Sequence, residues 1–175
     1  MGEIKSTLDL VMERTRHLSM SAEEKEAQRR EDFAKRLQGL LQHYADEAQP
    51  VDRLMEALDG LQAEMQLSDR QPAIRAVKGR IVPDRENEHW MALMERLAPG
   101  LCAPLQALLE AYRQKEAQCL QAARETMAAQ LAGQYAITGS AAVPNPRKDA
   151  AARRELAALR EETRTAIDAL GETGG

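Results

Sequence analysis

The apolar residues of this chain are chiefly Leu, Ala and Met, and they recur at helical spacing over almost its whole length. Aromatic residues make up only 3% of the 175 residues. Narrow stripes of Leu and Met suit the buried face of a helix, whereas small-molecule pockets usually need aromatic walls and converging polar groups. The sequence therefore predicts an all-α protein, an antiparallel helical bundle, and it gives no sign of an enzyme's pocket.

The balance of charge argues against nucleic acid as a partner. The chain has 24 basic and 28 acidic residues, a net charge of −4. Binding to a phosphate backbone needs clustered Lys and Arg, but the basic pairs here, such as Arg29-Arg30 and Arg153-Arg154, are interleaved with acids. No apolar run approaches the length of a membrane span, so we expect a cytoplasmic protein without a membrane contact.

The first 20 residues form a short amphipathic segment that we interpret as a docking helix. Its apolar face carries Ile4, Leu8, Val11, Met12 and Leu18. Ser21 then stands three residues before Glu24, the capping-box spacing that begins a helix. The first half of this second helix, residues 22–36, is almost wholly charged and offers little to bury. We therefore divide the chain into a docking helix (1–20), a bundle (21–170) and a disordered tail (171–175).

Pro and Gly mark the ends of the remaining predicted helices. A stripe that begins at Phe33 ends at Pro50, and Asp84 is a candidate N-cap for a helix that carries Trp90. The longest helix lies in the C-terminal half, with Pro104 in its first turn and Gly133 at its end. Because Cys102 and Cys119 would lie on this one helix, about 25 Å apart, they are predicted to be buried thiols without a disulfide.

Two segments resemble each other. Residues 73–84 and 136–145 each carry a glycine and β-branched residues, and each ends in Val-Pro followed by Asp or Asn. One interpretation is two unrelated helix entries, since Pro followed by Asp or Asn begins many helices. The other is that residues 79–83 and 139–144 are extended and pair as a short two-stranded ribbon. The sequence leaves both open.

One motif suggests a metal. Glu86 and His89 form Glu-x-x-His, the spacing that ferritin-like di-iron bundles use to direct two ligands into the core. That fold needs the motif twice, with further carboxylates such as Glu56 or Glu110, and the other two histidines lack a Glu three residues before them. A metal-binding bundle is therefore the alternative function, a surface Glu/His pair is the simpler interpretation, and we predict no cofactor.

The opening residues 1–13, continuing through 15–18, and the Gly-Ser-Ala-Ala-Val-Pro-Asn stretch at 139–145 resemble landmarks of a bacterial family of small, uncharacterised helical proteins. The resemblance covers about a quarter of the chain. It implies a bacterial, cytoplasmic helical protein and brings neither an activity nor site residues.

The functional expectation is a non-enzymatic helical interaction or scaffold protein that self-associates as a homodimer or another homo-oligomer. The longest and last helices have apolar stripes, but the chain has few aromatic residues to fill the core of a monomer. A second copy would therefore help to cover these stripes. A protein partner is expected on the N-terminal helix, because isolated helices this short are marginal in water. The competing interpretation is that this helix folds back onto its own bundle.

Overall fold

The computed structural model describes residues 21–47, 49–139 and 143–171. Within these ranges 81% of the residues are helical, in six α-helices and no strand. The prediction of an all-α fold is confirmed. The helices are α1 (Ala22–Glu47), α2 (Val51–Met65), α3 (Gln71–Lys78), α4 (Glu88–Leu97), α5 (Cys102–Tyr135) and α6 (Ala150–Ala169), with short 3-10 helices at Pro99–Leu101 and Pro146–Lys148.

The chain divides into two compact units, Met1–Ser68 and Asp69–Gly175. The domain predicted for residues 21–170 spans both units, and the division falls between α2 and α3, at Ser68 and Asp69. α1 and α2 belong to the first unit, and α3 to α6 form the second.

In the first unit, α1 and α2 pair as a helical hairpin. The capping box is formed as predicted: the Ser21 amide donates to Glu24 Oε2 at 2.7 Å, and the Glu24 amide donates to Ser21 Oγ at 3.1 Å. Arg36 bonds Glu64 of α2 at 2.7 Å and so ties the two helices. The buried stripe of α1 begins at the predicted residue, and the hairpin buries Phe33, Leu37, Leu41 and Tyr44 with Leu54, Met55, Leu58 and Leu61.

The second unit is built around the antiparallel pair α5 and α6. Cys119 lies beside the start of α6, with its Sγ 4.0 Å from the Ala152 carbonyl oxygen, and α3 and α4 pack at the other end of the pair. The large side chains buried most completely in this unit are Val77, Ile81, Leu93, Met94, Leu105, Tyr112 and Ile167.

Two cations hold the ends of α3 and α6 together by capping each other's helix. Lys78, the last residue of α3, is only 3% exposed, and its Nζ donates to the carbonyl oxygens of Asp168 and Leu170 at 2.6 and 2.8 Å. Arg164 of α6 donates in return to the carbonyl oxygens of Lys78 and Ile81 at 2.9 and 3.1 Å. The last carbonyls of a helix have no partner within it, so each cation stabilises the end of the other helix.

Residues 79–83 do not form the ribbon that the repeated segments suggested. The Ile81 amide donates to the Lys78 carbonyl oxygen, and the Asn87 side chain bonds both backbone groups of Val82, at 3.0 Å to the amide and 2.8 Å to the carbonyl oxygen. These bonds satisfy the groups that a neighbouring strand would need. Residues 140–142 of the second segment lie outside the described residues, and no strand occurs on either side of them within the described ranges.

Candidate interaction surfaces

The end of α5 presents an uncharged, exposed surface. No Asp, Glu, Lys, Arg or His occurs between Thr126 and Pro146, although 30% of the chain is charged. We call residues 126–139 the distal arm. Tyr135 is 66% exposed and Ile137 46% exposed on the arm, and Val143 just beyond it is 72% exposed. The distal arm is therefore uncharged and carries exposed apolar side chains.

The arm is exposed because α6 is too short to cover α5. α5 has 34 residues and α6 has 20, which correspond to helices of about 51 and 30 Å. The packing between them ends in a small cluster of Cys119, Ala152 and Leu156, with Leu120 and Ala123 against it. Beyond Cys119 no described residue of α5 is fully buried.

The chain that follows the arm is fixed where it returns to the bundle. Asn145 Oδ1 accepts a hydrogen bond from the Arg147 amide at 3.1 Å, and Pro146 is buried. Arg147 then bonds Glu116 of α5 at 2.9 Å, and Asp149 caps α6 by accepting from the Ala152 amide at 2.7 Å. These contacts position the start of α6 against α5 well before the arm begins.

Both cysteines are free and buried, as the sequence predicted. Burial, with the nearby Glu95 carboxylate as a second cause, raises the pKa of Cys102 to about 11. Burial also raises the pKa of Cys119, with Glu155 as a second cause. A thiol is nucleophilic only as its thiolate, so these cysteines have the environment of structural residues.

We expect neither native thiol to react with iodoacetamide at pH 8. With a pKa of about 11, Cys102 would be about 0.1% thiolate at that pH. Mass spectrometry of the intact protein should show no added label in buffer and two labels in urea. Labelling of either cysteine in the folded protein at the rate of an exposed thiol would contradict the burial.

A second surface is a groove on the hairpin of the first unit. It has a volume of about 670 Å³, and its apolar lining comprises Leu40, Leu54, Ala57 and Leu61. Gly39 and Gly60 also line it, and a Cβ atom added at either would meet no atom within 4 Å. The Arg36–Glu64 ion pair and His43 stand at its rim. The two glycines leave this groove wider than alanines would.

The structure does not place Glu86 and His89 as a helical ligand pair. Glu86 precedes Asn87, the N-cap of α4, so the i,i+3 geometry of a helix does not apply to the two residues. Both are exposed, and the His89 ring lies 4.5 Å from the Trp90 ring. Glu86 and Glu110 do line one cleft, together with Arg113, but His89 does not line it. In the part of the chain that the structure describes, no three His, Cys, Asp or Glu side chains are grouped as metal ligands.

The proposed partner-binding residues of the N-terminal helix, Ile4, Leu8, Val11, Met12 and Leu18, lie outside the described residues. The sequence predicts an apolar stripe on the longest helix but does not single out the distal arm as an exposed surface. The indication in the sequence is the long stretch without charged residues after Glu125. Helical periodicity does not single out this stretch, because its apolar residues continue the regular pattern of the helix before it.

No protein-family model matches this chain, and comparisons with curated proteins and with solved structures found no match. Among the described helices, none combines the length and the apolar character that crossing a membrane requires.

Proposed function

We propose that this protein is a non-enzymatic α-helical interaction protein that self-associates and serves as a scaffold. The observation that carries the proposal is the distal arm, where Tyr135 and Ile137 are exposed on a helix end without charge. Exposed apolar surface of this kind is typical of protein contacts, because monomeric proteins seldom leave it contiguous. Polar residues elsewhere on the described helices keep the rest of the surface solvated.

The N-terminal segment is the second part of the proposal. Its apolar face would dock on a protein partner, and the charged residues 22–36 that follow offer it little apolar surface of their own. A scaffold of this kind joins copies through one surface and recruits a partner through another.

Light scattering on the full chain should show a mass that rises from 19.4 kDa towards twice that value at micromolar concentration. The double variant Leu8→Glu, Val11→Glu should keep this rise, because the proposal assigns self-association to the arm and not to the N-terminal segment. A mass that stays monomeric for the wild type at every concentration would contradict self-association. Loss of the rise in the double variant would instead assign it to the N-terminal segment.

A further inference from the structure

We propose that two copies of this chain pair their distal arms side by side and antiparallel, about a two-fold axis beside residue 130. The inference rests on the proposed function and specifies the surface, the orientation and the register of self-association. The partner is a second copy of this chain.

The contact stripe follows from helical geometry. Residues three and four apart lie on one face of a helix, so Ala128, Ala132 and Tyr135 share a face, with Gln121 and Arg124 continuing it towards the start of α5. All five are exposed. Met127 and Leu131, one position earlier in each turn, are half-buried and lie on the adjacent side of the helix. The exposed stripe is therefore a face that is available to a partner.

The pattern of charge favours a second copy as that partner. Arg124 and Glu125 are the only charged residues from Gln121 to Pro146. In an antiparallel pair centred on residue 130, Arg124 lies opposite Ala136 of the second copy, and Glu125 lies opposite Tyr135, whose hydroxyl can donate to the carboxylate. The two Arg124 side chains then stand about 18 Å apart along the helices, beyond the screening length of about 8 Å at physiological salt. Two identical arms can thus meet without repulsion.

Side-chain size supports the same register. Ala128 lies opposite Ala132 of the second copy, so the centre of the contact consists of methyl groups. Small residues at the crossing allow two helix axes to approach to about 8 Å, the close end of the usual range.

The size of the surface sets the strength of the pair. The overlapping helices, residues 125–135 of each copy, span about 15 Å, and with the exposed Tyr135 side chains at both ends the contact would bury less than about 1,000 Å². Stable interfaces bury about 1,600 Å². We therefore expect a dimer that forms at micromolar concentration and dissociates on dilution.

Crosslinking between single-cysteine variants tests the register. Ala128→Cys and Ala132→Cys are prepared separately, mixed, and oxidised with copper phenanthroline to form a disulfide, which requires Cα atoms within about 7 Å, while the buried native thiols stay unreactive. The antiparallel register predicts a covalent dimer in the mixture and at least tenfold less in either variant alone. Ala111→Cys, exposed on the first half of α5, is the matched control and should give none with itself or with either variant.

A charged variant tests the surface independently. Ala132→Glu places two carboxylates at the centre of the contact and should raise the dimer dissociation constant at least tenfold, with an unchanged circular dichroism spectrum because the site is exposed on a helix. Ala111→Glu should leave the dimer unchanged. A dimer that survives Ala132→Glu, or that crosslinks Ala128→Cys to itself as a parallel pair would, overturns the inference but not the proposed function. A wild-type chain that is strictly monomeric overturns both.

Discussion

Replacing Lys78 by Met is expected to lower the free energy of unfolding of the second unit by about 3 kcal/mol. The Lys78 ammonium is buried and donates to two carbonyl oxygens at the end of α6, at 2.6 and 2.8 Å. Hydrogen bonds to a charged group contribute about 1.5–3 kcal/mol each, and Met preserves the packing of the aliphatic stem. Urea unfolding followed by the fluorescence of Trp90, the only tryptophan, reports on this unit because Trp90 is buried in α4.

The control for this variant is Lys148→Met, since Lys148 is exposed in the short 3-10 helix that precedes α6. Its expected effect is within about 0.5 kcal/mol, as for most surface substitutions. If both variants unfold at the same urea concentration as the wild type, the reciprocal capping does not stabilise the unit.

Replacing Asn87 by Ala is expected to destabilise the second unit by a similar amount, about 3 kcal/mol. The Asn87 side chain is 4% exposed and makes three hydrogen bonds: it accepts from the Val82 amide and donates to the carbonyl oxygens of Val82 and Arg85. Alanine removes all three bonds at this partly buried site and takes this partner from the Val82 amide and the Arg85 carbonyl oxygen, while the Val82 carbonyl oxygen keeps its bond from the Arg85 amide. Asn145→Ala is the matched control, because Asn145 is exposed and its side chain accepts one local hydrogen bond.

The variant Asn87→Asp separates donation from acceptance at the same position. Its carboxylate would still accept from the Val82 amide but would face two carbonyl oxygens, so burial and the carbonyls should raise the pKa of this carboxyl in the folded state. A carboxyl group whose pKa is higher in the folded state than in the unfolded state contributes stability at low pH. This contribution is lost as the pH rises through the pKa of the folded state. The deficit relative to wild type should therefore be smaller at pH 4 than at pH 7, and a deficit independent of pH would contradict the donor role.

Local patterns in the sequence predicted most of the helices and the faces they bury, but not α3, most of which falls in the first of the two repeated segments. The Ser21 capping box and the stripe beginning at Phe33 depend on residues three and four apart, and the structure has both. Asp84 was wrongly predicted to cap a helix: the helix begins at Glu88 after Asn87, and Asp84 pairs with Arg160 of α6. A pairing across 76 residues leaves no periodic trace in the sequence.

The candidate surface was less predictable than the fold for a related reason. A helix pattern identifies which residues can be buried, but the length of the neighbouring helix decides which of them are. Met127 and Leu131 continue the i,i+4 spacing of Cys119 and Ala123, yet α6 covers Cys119 and leaves Met127 and Leu131 only half-buried. The absence of charge after Glu125 was the only local indication, and it does not distinguish a buried helix from an exposed one.

The mutual capping of α3 and α6 also has a consequence for the order in which the chain can fold during its synthesis. The helical hairpin of the first unit closes through contacts between neighbouring helices, so it can form soon after Ser68 has left the ribosome. Lys78 must wait for Asp168 and Leu170, which are made 90 and 92 residues later. Until then the apolar face of α3, with Ile74 and Val77, has no α6 to pack on. The nascent chain would pass through a stage in which a finished hairpin is followed by an open, aggregation-prone segment that closes only with its last helix.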